Sequence, residues 1–172
     1  MIISLTGFMG SGKSSVGRVL PALLSLPGGP FTFIDLDDFI VESEGMSVNE
    51  IFASEGESGF RAIETHCLET LVEQYEGRNL VLALGGGTAV FNPELVHSHT
   101  VCIYLSASVD TLVCRLQGDS TRPLLRGGDL RTKIEALQAQ REEIYLHTAH
   151  HTIQTDGLTV REIASEIAEI VK

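Results

Sequence analysis

A glycine-rich segment close to the N-terminus constrains this chain more than any other feature. Residues 7–14 read GFMGSGKS and match the pattern G-x-x-x-x-G-K-[ST] at every position. The segment follows the apolar residues 2–5 and precedes a helical pattern, an order that is typical of a phosphate-binding loop. It therefore predicts a nucleoside triphosphate site. The alternative is an ordinary glycine-rich turn between a strand and a helix.

The chemistry expected of this loop follows from its backbone and from two side chains. Glycines let successive N–H groups turn toward phosphate oxygens, and the N-terminus of the following helix adds partial positive charge. The Lys13 ammonium is suited to bridge the β- and γ-phosphates, and the Ser14 hydroxyl to hold Mg²⁺. With Mg²⁺ as the cofactor, we expect the loop to contact ATP through Gly10, Ser11, Gly12, Lys13, Ser14 and Ser15.

The composition favours an intracellular α/β protein. Hydrophobic residues make up 43% of the 172 residues, which is enough for one domain spanning residues 1–172. No apolar run approaches the roughly 20 residues of a membrane span, and no basic segment typical of a signal peptide begins the chain. The formal charge of −11 argues against a nucleic-acid partner. The odd number of widely spaced cysteines (Cys67, Cys102 and Cys114) is typical of reduced thiols, so we expect a cytoplasmic location.

Alternating strand and helix patterns predict the fold class. Strand-like runs, each followed by helical periodicity, lie at residues 2–5, 31–34, 80–84, 100–105 and 151–155. This alternation predicts a five-stranded parallel sheet flanked by helices. Ligands in such folds bind at the carboxyl ends of the strands, which places the loops after the first three strands around one crevice.

Several helix ends carry local signals. Capping boxes at residues 47–50 and 159–162 predict two helix starts. Asn92 before Pro93 predicts a third, with Asn92 as the cap and proline at the first helical position. Pro21 predicts a kink or an early end of the first helix.

An acidic group follows the second predicted strand. Asp35 ends that strand. In many nucleotide-binding proteins an acid at this position reaches Mg²⁺. Asp37 lies two residues further on and is suited to face the acceptor. The alternative is a cluster that stabilises the N-terminus of a helix, and we assign Asp38 to this structural role.

The third predicted strand runs directly into Gly85, Gly86 and Gly87. Three glycines after a buried strand favour a backbone that approaches a ligand closely, although a tight turn is the alternative.

Two predicted helices carry charges on their apolar faces. In the helix of about residues 57–75, Glu64 lies within the apolar stripe and Arg61 at its edge, which predicts either an anion-binding arginine oriented by the glutamate or a simple ion pair. In the helix around residues 133–145, Arg141 lies on the inner stripe and needs an anionic partner unless it extends to the helix edge.

The composition of residues 118–129 predicts a mobile lid. Glycines near both ends and an internal proline are typical of a surface segment, and kinases use lids to exclude water from the transferring phosphate. Arg122 in this lid is a candidate to contact the phosphoryl group, although any arginine of a loop has the same appearance.

Taken in order, these motifs resemble the shikimate kinase family. The resemblance covers nearly the whole chain and rests on the phosphate-binding loop, Asp35-Leu36-Asp37, Phe60-Arg61-Ala62-Ile63-Glu64, the glycines at 85–87, Thr121-Arg122-Pro123-Leu124-Leu125 and Arg141-Glu142-Glu143-Ile144-Tyr145. It implies a three-layer fold like that of nucleoside monophosphate kinases. It also implies transfer of the γ-phosphoryl group of ATP to the 3-hydroxyl of shikimate, in aromatic amino-acid biosynthesis.

The resemblance also implies a role for each site residue. Shikimate is expected to contact Asp37, Arg61, Gly85, Gly86, Gly87 and Arg141, with Asp37 on the acceptor hydroxyl and the two arginines on the carboxylate. Lys13 and Arg122 are expected to stabilise the phosphoryl group, and Ser14 and Asp35 to hold Mg²⁺, with Asp35 acting through water. Arg115 corresponds to a position near adenine. We expect a monomer with ATP and shikimate as its ligands.

Two segments depart from the family pattern. Pro21 and the loop at residues 26–30 lengthen the first connection between a helix and a strand, and residues 154–157 lack a basic residue often found near adenine. The rival functions are a related kinase acting on gluconate, a non-catalytic nucleotide sensor and a regulatory GTPase. Loss of Asp35, Asp37 or Arg122 would indicate the sensor and an Asn-Lys-x-Asp motif the GTPase, and the sequence has neither feature.

Overall fold

The centre of the protein is a parallel β-sheet. A computed structural model describes residues 1–118 and 128–172, and in these ranges five strands pair in the order β2-β3-β1-β4-β5. The strands are β1 (Ile2–Thr6), β2 (Thr32–Asp35), β3 (Leu80–Ala83), β4 (Val101–Ser106) and β5 (His151–Gln154). Each lies within one residue of its predicted bounds, so the predicted five-stranded parallel sheet is confirmed.

Alternate residues of the strands face two separate apolar cores. Leu80, Leu82 and Tyr104 contribute to one core, whereas Val81 and Ile103, next to them in sequence, contribute to the other. This period of two means that both faces of the sheet are covered, as a parallel sheet requires.

Helices supply both covering layers. Those packed on the first core include α2 (Leu36–Glu44), α3 (Val48–Gln74), α5 (Pro93–His99) and α7 (Leu130–Thr148), and those on the second are α1 (Lys13–Val19) and α8 (Val160–Ile170). Two further helices are α4 (Thr88–Phe91) and α6 (Val109–Leu116). No helix in residues 1–118 or 128–172 combines the length and apolar character needed to cross a membrane.

The sequence signals for helix ends can be compared with the observed helix ends. Both predicted capping boxes are present, at Ser47 and at Thr159. Helix α1 ends at Val19 and a 3₁₀ turn takes over before Pro21, which confirms the predicted early end. Pro93 begins α5 and Asn92 is its N-cap residue, as predicted, although the Asn92 side chain makes no capping hydrogen bond there.

The helix predicted at residues 57–75 is present as part of a longer element. It is the second half of α3, whose first half starts at Val48, and the two halves meet at Gly56 with φ +70° and ψ −176°. Glycine reaches this backbone geometry at little cost, so the chain turns there and both halves can line the same cavity.

Much of the predicted lid lies outside the described residues. Residues 119–127, including Arg122, belong to the undescribed part of the chain. After them, Asp129 caps α7 by accepting a hydrogen bond from the Thr132 N–H at 2.8 Å.

The strand register brings the predicted site loops together. Leu5 and Asp35 both pair with Ala83 of β3, so β1, β2 and β3 end at the same level. The phosphate-binding loop, Asp37 and the glycines at 85–87 therefore emerge at one edge of the sheet.

Candidate active site

Two adjoining cavities open at this edge of the sheet. The larger, of about 420 Å³, is lined by the phosphate-binding loop from Met9 to Val16, by Asp35 and by Arg115. The smaller, of about 280 Å³, is lined by Arg61, Glu64 and Arg141, among others. Both cavities share Met9, Asp37, Gly85 and Gly86. A group bound in one therefore lies next to a group bound in the other.

The phosphate-binding loop depends on backbone conformations that glycine permits. Gly7, Gly10 and Gly12 have φ values of 141°, 81° and 101°. Gly12 is the N-cap of α1, so the helix begins immediately at Lys13. The loop and the positive end of α1 together form a wall of the larger cavity that is suited to bind anions.

Lys13 is held tightly within this loop. Its side-chain nitrogen donates hydrogen bonds to the carbonyls of Gly7 at 3.0 Å and Phe8 at 2.9 Å, and the residue is only 8% exposed. A buried ammonium next to a cavity is suited to bind a polyanion, because the surrounding water that would screen it has been removed.

Ser14 and Asp35 bring a hydroxyl and a carboxylate together. The Ser14 hydroxyl donates to Asp35 Oδ2 at 2.5 Å, and the Asp37 N–H donates to Asp35 Oδ1 at 3.1 Å. Asp35 thus also caps α2, so the predicted metal role and the alternative helix-capping role share one residue. Asp38 pairs with Arg18 across 3.6 Å on the surface, in keeping with its predicted structural role.

The buried end of the smaller cavity contains an ion pair. Arg61 Nη1 donates to Glu64 Oε2 at 2.7 Å, and Glu64 is fully buried. The other carboxylate oxygen of Glu64 accepts a hydrogen bond from the Thr88 hydroxyl at 2.6 Å. The intrahelical ion pair is present, and Arg61 also lines the cavity, whereas its binding of an anion stays a prediction.

Arg141 reaches the same cavity from α7. It is 6% exposed, and its Nη1 donates to the Gly86 carbonyl at 3.1 Å, so the alternative in which Arg141 extends to the helix edge is wrong. The Tyr145 hydroxyl donates to the same carbonyl, and burial raises the pKa of Tyr145 to about 12. This tyrosine is therefore a neutral donor that supports the position of Gly86 and Arg141.

The glycines at 85–87 leave space that side chains would fill. A Cβ on Gly87 would lie 2.6 Å from Arg61 Nη2, and a Cβ on Gly85 would lie 3.0 Å from both Asp37 Oδ1 and Glu64 Oε1. None of the three has a positive φ, so these glycines are required for close approach and not for an unusual turn.

Arg115 also lines the larger cavity. Its Nη1 donates to the Gly10 carbonyl at 3.1 Å, and Leu158 and Val160 line the same cavity. Asp156 in the neighbouring turn accepts hydrogen bonds from the Ser108 and Thr111 hydroxyls, each at 2.5 Å. These hydrogen bonds lower the pKa of Asp156 to about 2.

Several lining residues were not predicted from sequence. Phe52 and Phe60 form an apolar wall of the smaller cavity, with ring centroids 4.6 Å apart, and Met9 and Val48 also line it. The capping box at Ser47 predicted a helix at this position, but no local pattern indicated that its apolar side faces a ligand cavity.

The arrangement defines a kinase of the phosphate-binding-loop class, because a cavity lined by the phosphate-binding loop adjoins a second, cationic cavity across one shared carboxylate, Asp37. The family model for shikimate kinase matches residues 9–172. The chain therefore belongs to the shikimate kinase family, and it is an ATP-dependent kinase.

Individual relatives agree with this family. A shikimate kinase from Geobacter metallireducens is 41% identical over 168 residues, covering 96% of this chain and 88% of the relative. A shikimate kinase from Acinetobacter baumannii, solved in complex with shikimate, superposes with a TM-score of 0.88 at 35% identity, covering 99% of this chain and 92% of the other. One from Aquifex aeolicus gives a TM-score of 0.77 at 30% identity, covering 99% and 96%.

Proposed function

We propose that this protein transfers the γ-phosphoryl group of ATP to the 3-hydroxyl of shikimate, yielding shikimate 3-phosphate and ADP. The observation that carries the proposal is the position of Asp37, which lines both the phosphate-loop cavity and the smaller cationic cavity. A hydroxyl bound near Asp37 lies next to the phosphate-binding loop, so acceptor and donor meet without further rearrangement of these elements.

The smaller cavity is the proposed shikimate site. Arg61 and Arg141 supply two cations for the single carboxylate of shikimate, and both are largely removed from water. The wall made by Phe52 and Phe60 suits the carbon ring, and the glycines at 85–87 allow the backbone to approach it. Asp37 orients the 3-hydroxyl and accepts its proton as the oxygen attacks the γ-phosphate.

The larger cavity is the proposed ATP site. Backbone N–H groups of the loop at residues 10–15 hold the β- and γ-phosphates, and Lys13 stabilises the charge on the transferring group. Arg115 is proposed to lie next to the adenine base. Arg122 is proposed to add a second cation to the phosphoryl group, and this role rests on the sequence resemblance alone.

Ser14 and Asp35 form the proposed Mg²⁺ site. Both supply oxygen atoms, the ligands that Mg²⁺ prefers, and the contact of 2.5 Å between them places both at one point of the nucleotide cavity. One or two protein oxygens plus substrate phosphates are the usual ligand set for Mg²⁺ in such enzymes. When bound, the ion neutralises charge on the phosphates.

We further propose that residues 1–172 form one kinase domain that acts as a cytoplasmic monomer. These expectations rest on composition and on the family resemblance.

A coupled assay of ADP release tests the function. Purified protein with Mg²⁺ and ATP is given shikimate, gluconate or a nucleoside monophosphate as acceptor. We expect ADP release above background with shikimate only, because the two arginines match its carboxylate and Phe52 and Phe60 match its ring. Faster release with gluconate, or equal release without any acceptor, would contradict the proposal.

A further inference from the structure

Arg61 is held in the smaller cavity by more than its ion pair. Its guanidinium carbon lies 4.4 Å from the centroid of the Phe91 ring and 5.2 Å from that of Phe60. Glu64 binds one edge of the guanidinium at 2.7 Å, and Glu57 lies 3.5 Å from another nitrogen. The Phe91 ring thus lies over the Arg61 guanidinium. Arg61 lines the cavity, whereas Phe91 does not.

Phe91 is unusual because burial does not explain its position. It is 51% exposed and belongs to none of the apolar cores. An exposed aromatic ring on a short helix normally has many positions available, and it loses conformational freedom by staying against one neighbour. Its place over Arg61 therefore needs a cause in the surrounding structure.

The cause is a set of hydrogen bonds that fix the short helix α4 against α3. At the start of α4, the Thr88 hydroxyl donates to Glu64 at 2.6 Å. Just after its end, Asn92 Oδ1 lies 2.8 Å from the Thr65 hydroxyl, and Asn92 Nδ2 donates to the Thr88 carbonyl at 3.2 Å. This explains why the Asn92 side chain makes no capping hydrogen bond to α5, since it joins α4 to α3 instead.

With both ends of α4 anchored, Phe91 is directed onto Arg61. Gly87, the N-cap of α4, leaves room for the guanidinium, because a Cβ there would lie 2.6 Å from Arg61 Nη2. Arg61 Nε is buried and has no hydrogen-bond partner within residues 1–118 and 128–172. The guanidinium is therefore held in place by its neighbours on several sides.

We propose that Phe91 is a positioning residue for the anionic acceptor, acting through Arg61. The negative face of the ring holds the guanidinium at its place in the smaller cavity before the substrate arrives. A fixed guanidinium loses less conformational entropy on binding a carboxylate, so the ring raises affinity for the acceptor without touching it. The proposal rests on the smaller cavity being the shikimate site.

Kinetics of Phe91 variants test this role. Phe91→Ala should raise KM for shikimate roughly 3- to 30-fold, the range that a guanidinium–ring contact represents, while kcat and KM for ATP change less than about twofold. Phe91→Tyr keeps the ring and should restore KM to within about twofold of wild type. Phe91→Leu keeps apolar bulk without the ring and should resemble the alanine variant.

Leu146→Ala is the matched control. Leu146 is also 51% exposed, but it lies on α7 and lines neither cavity. Its substitution should leave KM for shikimate unchanged, and melting temperatures of all variants should be compared to exclude general destabilisation.

The kinetic results distinguish failure of the proposed function from failure of the role proposed for Phe91. Wild-type protein that does not phosphorylate shikimate would overturn the proposed function. An active wild type with unchanged KM in Phe91→Ala, or with wild-type KM in Phe91→Leu, would overturn the role of the ring alone. A fall in kcat or a rise in KM for ATP matching the rise for shikimate would show that Phe91 is merely structural.

Discussion

At the residue scale, Lys13 combines two environments that rarely occur together. It is almost buried, yet it borders a cavity and bonds to loop carbonyls at 2.9 and 3.0 Å. Such a cation contributes little apolar packing, so its value lies in stabilising negative charge that enters the cavity.

Lys13→Ala should therefore remove catalysis while the protein stays folded. We expect kcat to fall about 10²–10³-fold or more, because a preorganised charge at the phosphoryl group is lost. Steady-state kinetics measure the loss, and circular dichroism with thermal melting checks the fold. Lys172→Ala, which removes an exposed lysine paired with Glu169, is the control. Near-normal turnover in a folded Lys13 variant would contradict the assignment.

Arg141 presents the corresponding case in the smaller cavity. Arg141→Leu should weaken shikimate binding by more than tenfold and ATP binding by less than about twofold, as measured by calorimetry. Without shikimate the variant should melt no lower than wild type, since leucine suits the apolar face of α7 and Tyr145 still donates to the Gly86 carbonyl.

Arg131→Leu supplies the control for this change. It makes the same substitution on the same helix, at an arginine 48% exposed and paired with Asp110, and it should leave both affinities unchanged. Equal loss of both ligands in Arg141→Leu would show that Arg141 is structural.

At the element scale, Asp156 links two elements that each contribute to the larger cavity. The carboxylate accepts the Ser108 N–H at 3.0 Å as well as the Ser108 and Thr111 hydroxyls, which joins the start of α6 to the turn before α8. Helix α6 carries Arg115, and the turn leads to Leu158, so this link joins two elements that line the larger cavity.

Asp156→Asn should raise KM for ATP roughly 3- to 10-fold, because an amide has one acceptor oxygen where the carboxylate has two. KM for shikimate should change less than about twofold, since the smaller cavity lies elsewhere. Glu169→Gln removes an equal charge from α8 at a surface ion pair and should change neither value. An unchanged KM for ATP would show that the two turns hold their positions without Asp156.

At the scale of the whole molecule, ligand binding should stabilise the fold. The two cavities are built from loops after β1, β2 and β3, so a ligand ties these elements together. Binding at a concentration of 100 times Kd adds about 2.7 kcal/mol of stability. For a chain of this size that corresponds to an increase in Tm of roughly 5–11 °C.

Differential scanning fluorimetry measures this increase. We expect shikimate and ATP with Mg²⁺ each to raise Tm, and Arg141→Leu to lose the increase with shikimate while keeping the increase with ATP. If ATP with Mg²⁺ raised the Tm of the wild-type protein but shikimate did not, the result would point to a different acceptor.

Local sequence signals account for the elements and for the nucleotide half of the site. The glycine pattern fixes the phosphate-binding loop because its backbone angles depend on the residues themselves. The capping boxes at Ser47 and Thr159 set their helix starts for the same reason, since each bond joins residues three positions apart. The apolar runs predicted the buried strands β1, β3 and β4 to within one residue, because burial on both faces of a sheet demands continuous apolar sequence.

Only the tertiary structure decided which distant residues meet. Sequence identified Arg61 and Arg141 as charges on apolar faces, but their convergence depends on how α3 and α7 pack around the sheet. The contact of Phe91 with Arg61 had no local signal, because it depends on hydrogen bonds from α4 to residues of α3 that lie more than twenty positions away in the chain. The sequence thus determined the fold class and the phosphate-binding chemistry, whereas packing between elements determined the shape and charge of the acceptor cavity.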